Sequence, residues 1–379
     1  MTFNLAFTFP MSLWGSIMTA YERFVFQRVV SIIRSVLNPV VMVLLLVVGY
    51  KAVAMVVVTT IFNVLTLLIN WWYCKNRLAI KIRFAKFKWE FLKEVSIYSF
   101  WIFLQVIMDR IYWSTGQFVL GIYKGTIAVA IYAVAIQMQN MYMLFSTAIS
   151  GVLLPRVTAI VANGDDKKEI SDLFIKVGRI QYIVVAFILS AFIVFGKVFI
   201  KKWAGNDYED SYYVCLMFFI PFTIDLIQNM GISILQARNQ LRFRSILLVS
   251  VAIGSLLLSV LLVNKYGYYG CAFATGLGLL IGQGIILNMY YSIKQHLDII
   301  KFWKEIFKMS IVPICVIVVG VVCMIYIDIE EVSLFYLIIL AIIFSFTYLL
   351  FFYKYSMNIS ERMLFIKPLR FLFKHNSNL

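Results

Sequence analysis

Apolar residues fall along this chain in long runs separated by short connectors, and the pattern repeats from the first residues to about position 352. A helix rises ~1.5 Å per residue, so a hydrocarbon core ~30 Å thick needs about twenty apolar residues to cross it. Read in that way, the pattern predicts about eleven spans. They fall at 2–20, 29–49, 52–73, 95–121, 127–154, 175–199, 211–235, 245–263, 270–292, 309–327 and 332–352. Within lipid a backbone must satisfy its own hydrogen bonds, so the expected class is an all-α polytopic membrane protein.

The connectors alternate in character. One set carries Arg23, Arg28 and Arg34, then Lys75 to Lys93, Arg156 to Arg179, Arg238 with Arg242 and Arg244, Lys294 to Lys308, and Lys354 to Lys374. The other set is short and poor in base: "GYK" at 49–51, "YKG" at 123–125, "NKYGYYG" at 264–270 and "IDIEEV" at 327–332. Lys201 and Lys202, beside Asp207, Glu209 and Asp210, are the exception. The positive-inside rule places the basic set and the C-terminus in the cytoplasm and the N-terminus outside. The opening "MTFNLAFTFPMSLWGSIMTA" starts almost directly in a span, with no charged leader and no small-residue cleavage site, so no signal peptide is expected. With an odd number of spans, the chain reads as if opening helices were missing.

The longest basic connector divides the chain. Residues 1–74 read as a partial helix bundle of three spans, and 75–94 as a cytoplasmic linker whose Phe84, Phe87, Trp89 and Phe91 suit a headgroup layer. Residues 95–293 then form a six-helix bundle, 294–352 two additional spans, and 353–379 a basic cytoplasmic tail.

Composition narrows the chemistry. Of the chain, 63% is hydrophobic and 14% charged, against ~25% charged in soluble domains. The net charge of +16 is spread through the loops between apolar runs, which argues against nucleic acid. Cys74, Cys215, Cys271, Cys315 and Cys323 make no CxxC pair, and His296 and His375 are the only histidines. No metal site, disulfide framework or cofactor is expected. No Ser/His/Asp, Cys/His or carboxylate pair stands in a water-exposed domain, so an enzyme is not expected. "GLGLLIGQG" at 276–284 lies inside a span and follows no soluble strand; Ala274, Gly278 and Gly282 there suit close helix packing rather than nucleotide binding. In "ANGDDKKEISD" at 162–172, Asp165 and Asp166 mark a helix start.

Candidate chemistry lies in polar residues inside the spans. Asp109 and Arg110 stand side by side about fifteen residues from Glu94 and from Lys124, ~22 Å along a helix and near a bilayer midplane. Trp101, Gln105, Asp109, Tyr112 and Gly116 share one helix face. A matching stripe carries Tyr132, Gln139, Tyr142, Ser146 and Ser150, with Gln137 and Asn140 nearby, and 211–235 holds Pro221, Asp225, Gln228, Asn229 and Ser233. Two readings stand. The stripes line a shared aqueous cavity, or their amides and hydroxyls join helices while the carboxylates form buried ion pairs, Arg110 being one candidate partner. Arg34 is expected to snorkel to the cytoplasmic surface.

The blocks "SFWIFLQVIMDRIYWSTGQFVLG", "AVAIYAVAIQM", "FGKVFIKKWAGNDY", "IQNMGISILQARNQLRFRS" and "KYGYYGCAFAT" occur in one order along the chain. In that order they resemble bacterial polysaccharide flippases of the Wzx type, in the multidrug/oligosaccharidyl-lipid/polysaccharide exporter superfamily. The resemblance implies a two-bundle, MATE-like exporter architecture with the N-terminal bundle lacking its first three helices. It implies an inner-membrane protein that moves undecaprenyl-diphosphate-linked oligosaccharide to the outer leaflet by alternating access. Membrane lipids and polysaccharide polymerase machinery are the further expected partners. On that reading Arg110 attracts diphosphate. Gln105, Tyr112, Trp113, Gln117, Gln137, Asn140, Gln228 and Asn229 meet sugar, and Asp109 and Asp225 are cation or proton sites. A drug/cation antiporter of the same superfamily and a polysaccharide polymerase or ligase are the alternatives; a polymerase would carry a large outside loop, and the outside loops here are short.

Overall fold

The computed structural model describes residues 2–21, 23–49, 52–78, 80, 89–150, 154–164, 166–325 and 334–363. Every regular element among them is helical. Among the described residues nine stretches are long and apolar enough to cross a membrane. Three of the expected spans are not separate stretches among those nine. Segments 245–263 and 270–292 lie in the single stretch Leu241–Ile293, and Thr2–Ala20 is not one of them. The linker at 79 and 81–88, the loop at 326–333, Asp165 and the tail beyond 363 lie outside the described residues.

Two compact units are present, residues 1–89 and 90–379. The first contains α1 (Thr2–Ala20), α2 (Phe24–Val47) and α3 (Ala52–Asn76). Its small core is Trp14, Met18 and Cys74. Polar side chains hold it together. Asn63 donates to Thr8 Oγ1 at 2.9 Å and accepts from Arg34 at 3.2 Å, and Gln27 donates to the Gly15 carbonyl at 2.7 Å. Arg34 is therefore a tie between α2 and α3, where the sequence alone suggested a side chain reaching for the surface.

The second unit is built around a long, largely buried helix. Its elements are α4 (Trp89–Tyr123), α5 (Thr126–Ser150), α6 (Leu154–Ala162), α7 (Lys167–Trp203), α8 (Ser211–Ile227), α9 (Met230–Ala237) and α10 (Leu241–Leu279). A π-helical segment, Leu280–Ile286, leads into α11 (Leu287–Ile293), then α12 (Ile299–Ile325) and α13 (Leu334–Tyr355). Asp166 caps α7 by accepting from the amides of Lys168 and Glu169 at 2.9 and 3.3 Å, satisfying two of the donors a helix start leaves open. Gly267 (φ 55°) folds α10 back on itself, so its two limbs lie side by side and Gly270 meets the Leu262 carbonyl. Pro221 leaves the Met217 carbonyl without its helical partner. The second limb of α10 approaches that carbonyl at Gly276, where no Cβ stands in the way.

The stripe on α5 is an interhelical seam. Tyr142 shares a hydrogen bond with Thr223 at 2.8 Å, Ser146 donates to the Leu226 carbonyl at 2.6 Å, and Gln181 donates to Ser146 Oγ at 3.1 Å. Ser211 donates to the Ile131 carbonyl at 2.8 Å. These bonds lock α5 to α7 and α8 in a solvent that offers no competing water.

At the other face of α7 the last two spans share its core. Phe302 packs on Gly178, Tyr182 bonds Ser310 at 2.6 Å, and Tyr348 lies against Phe187. Arg179 is 4% exposed. It donates to Glu361 at 2.6 and 2.9 Å and to Glu305 at 2.6 Å, so one guanidinium joins α7, α12 and the segment beyond α13. A buried charge that loses its partner costs ~3–5 kcal/mol. Arg179→Leu, which strands the buried Glu361 carboxylate while Glu305 keeps Lys308, is expected to lower the unfolding free energy in detergent by that order, and unchanged stability would show the triad to be dispensable. Gly276→Ala, which presses a methyl onto the Met217 carbonyl, is expected to cost ~1–3 kcal/mol in the same measurement; full stability in that variant would mean the limb shifts freely.

Candidate functional site

The second unit encloses a cavity of about 380 Å³ between α4, α5, α8, α9, both limbs of α10 and the π segment. Of the residues singled out from the sequence, Asp109, Arg110, Tyr112, Trp113, Gln117, Asn140, Asp225 and Asn229 line it. The cavity takes the later part of α5 and of α8 and the opening turns of α10. On α5, α8 and α10 the lining lies toward the ends joined to basic connectors, while on α4 it runs from Val106 to Gln117, toward the opposite end.

Gln105, Gln137 and Gln228 are not among its lining residues. On α4 the cavity face is Val106, Arg110, Trp113 and Gln117 with Asp109 at its edge, roughly a quarter turn from the polar stripe at ~100° per residue. The stripe itself packs: the Tyr112 hydroxyl donates to the Thr275 carbonyl, Gly116 sits against Tyr132, and Gln105 is buried. On α5 the cavity face is Ile136, Asn140, Met143 and Thr147, again displaced from the seam at 139, 142 and 146. Gln137 points to the exposed side. Gln228 donates to Asn288 Oδ1 at 2.9 Å, an atom that also accepts from Trp303 Nε1 at 3.2 Å.

The ion pair in this region differs from the one the sequence suggested. Asp225 Oδ1 faces Arg244 at 3.8 Å, while Asp109 feels the charges of both Arg244 and Arg110. Arg110 is exposed at the rim. Arg244 was grouped by sequence with Arg238 and Arg242 as a connector residue. Two positions along a helix point nearly opposite ways, so Arg242 faces outward beside Trp101 while Arg244 turns inward on the face of Leu247 and Val251. That phase relation with the apolar positions downstream was the available signal. Arg244 is only 2% exposed, and its Nε and Nη1 have no hydrogen-bond partner among the described residues. Gln283 was also missed, because it lies in the glycine-rich run read purely as packing. It borders the cavity with its Oε1 likewise unpartnered among the described residues.

The wall therefore offers two carboxylates, two guanidiniums, amides and an aromatic face. Trp113 is held edge-on by Phe218 and Phe222, with ring centroids 5.6 and 5.1 Å away. A polar, roomy site with unmet donors and acceptors is built to hold a hydrated or hydroxyl-rich guest. Among the described residues no cluster of His, Cys, Asp and Glu could hold a metal ion.

Comparison with known proteins agrees with this architecture. The solved structure of lipid II flippase MurJ in an inward closed conformation superposes with a TM-score of 0.63 at 17% identity, covering 93% of this chain and 72% of that one. A putative O-antigen transporter of Shigella flexneri is 19% identical over 231 residues, which are 61% of this chain and 54% of that protein. The chain thus spans about half the length of that curated relative, and both relatives are transporters rather than enzymes. The family described as polysaccharide biosynthesis protein matches residues 2–213, more than half of the chain. This multi-pass helical membrane protein belongs to the polysaccharide biosynthesis protein family.

Proposed function

We propose that this chain carries an oligosaccharide linked to undecaprenyl diphosphate from the cytoplasmic to the outer leaflet of a bacterial inner membrane, its basic connectors on the cytoplasmic side. The observation that carries the reading is Arg244, a buried guanidinium with two open donors in the wall of a polar cavity. A buried cation without full compensation is expensive, and a planar fork of donors matches a phosphate oxygen pair. Arg244 stands three residues into α10, at the end of the cavity nearest the basic connectors, where a lipid headgroup would lie. Arg110 at the rim draws the diphosphate in. Trp113, Gln117, Asn140 and Asn229 then meet sugar hydroxyls and ring faces beyond it.

Asp109 and Asp225 supply the coupling. While Asp225 holds Arg244 at 3.8 Å, part of the guanidinium's charge is engaged. A cation or proton arriving at the two carboxylates releases Arg244 toward the diphosphate. The bound head and the coupling ion thereby favour each other, a reciprocity that any such linkage requires.

The test is leaflet accessibility of lipid-linked oligosaccharide in cells lacking their own flippase and expressing this chain. A charge-assisted hydrogen bond is worth ~1.5–3 kcal/mol, so Arg244→Gln is expected to cut outward exposure about ten- to a hundredfold. Wild-type rates in Arg244→Gln would remove the diphosphate site from Arg244. Asp109→Asn with Asp225→Asn is expected to abolish the ion dependence of transport; an unaltered dependence would end the coupling role. Cationic dyes are expected not to compete, and strong competition would favour a drug/cation antiporter.

A further inference from the structure

A second hollow, about 310 Å³, lies between the two limbs of α10. Leu247, Val251, Gly254 and Leu258 line it from the first limb, and Gly278 and Ile281 from the second and the π segment. Two hydroxyls border it. Ser250 donates to the Ile246 carbonyl at 3.1 Å, and Ser255 is buried. The rest of the lining is hydrocarbon and glycine backbone.

It adjoins the polar cavity. Leu247 and Val251 line both, and the π segment is the partition, with Gly282 and Gln283 on the cavity side and Ile281 and Ile286 on the groove side. Asn288 steadies that partition by donating to the carbonyls of Gln283 and Gly284 at 3.1 and 2.8 Å. The register is equally specific. Leu247 stands three residues beyond Arg244, ~4.5 Å, and the groove then runs eleven residues to Leu258, ~16 Å. That is about half of a ~30 Å hydrocarbon core, the depth of one leaflet. A Cβ at Gly254 would meet nothing within 4 Å, whereas one at Gly282 would strike Val251. Packing therefore explains the glycine at 282 and leaves open space at 254.

We infer that this groove seats the hydrocarbon chain of the same lipid whose diphosphate head binds Arg244. The inference rests on the reading given above for Arg244 and adds the path of the tail. An anionic head at Arg244 places the first chain carbons one turn along α10, at the mouth of the groove. A phospholipid without that head contact would have no reason to start there.

The experiment uses the full chain in bilayers of phosphatidylethanolamine and phosphatidylglycerol, with a polyprenyl diphosphate bearing a diazirine in its chain. After illumination, the labelled peptides are mapped by mass spectrometry. Labels are expected on 247–258 and 277–286. Gly254→Trp is expected to reduce them about tenfold or more, since an indole there displaces at least two methylenes of ~0.8 kcal/mol each. Gly254→Leu should give a smaller loss, with both variants keeping the wild-type unfolding midpoint. Labels elsewhere, with Arg244-dependent retention of the probe intact, would overturn the groove and leave the proposed function standing. Equal labelling by a diazirine phosphatidylglycerol that the diphosphate lipid does not displace would also overturn it. No retention of the diphosphate lipid by the wild-type chain would sink both readings together.

Discussion

Hydrocarbon offers no hydrogen bonds, and that absence organises this molecule. A polar group placed within a span costs free energy unless it finds a partner in the protein or borders a space that admits one from outside. Most of those within the second unit take the first course. Tyr142, Ser146, Gln181 and Ser211 reach across helix boundaries to hydroxyls and carbonyls, fixing α5, α7 and α8 as one body. Others have no partner among the described residues: Gln139, Tyr291 and Tyr348 are buried away from the cavity, while two border it. Those two are Arg244 and Gln283, and neither side chain is fully satisfied among the described residues.

The same rule explains what could be read from the sequence and what could not. The class and the approximate placing of the spans follow from run length and from base in the connectors, properties that depend on one dimension only. The polar stripes on α4 and α5 were equally visible, but polarity marks a face without saying whether protein or water lies against it. Both faces are wet by composition; only packing shows that Tyr112 and Gly116 meet α10 and α5, and that the guest-facing positions lie a quarter turn away. Asp109, Arg110, Trp113, Gln117, Asn140, Asp225 and Asn229 were recognisable because a charge, amide or indole at midspan is unusual wherever it points. Arg244 hid among connector arginines, and only its phase with Leu247 and Val251 set it apart from Arg242. Gln228 looked like a cavity residue and serves instead in the bond network around Asn288 and Trp303.

The π segment converts one helical strand of chain into a wall with two different faces. An ordinary helix turns ~100° per residue, while the wider turn shifts the register by a residue and lets neighbours 281, 282 and 283 divide between an oily groove and a polar chamber. Such a turn leaves carbonyls short of donors, and the Asn288 amide supplies two. A lipid-linked sugar has the same divided chemistry, so the partition is matched to the proposed cargo rather than to the cavity alone.

The Arg179 triad bears on how the chain is made. Arg179 lies near the start of α7, but one of its carboxylates is on α12 and the other, Glu361, comes after every other described span. During synthesis the guanidinium must wait through more than 180 residues for its last partner. A nascent chain halted between Glu305 and Glu361 pairs the buried guanidinium with one carboxylate instead of two. Completion of the polypeptide therefore turns a single ion pair into a clasp that ties the end of the described chain to the helix at the centre of its bundle.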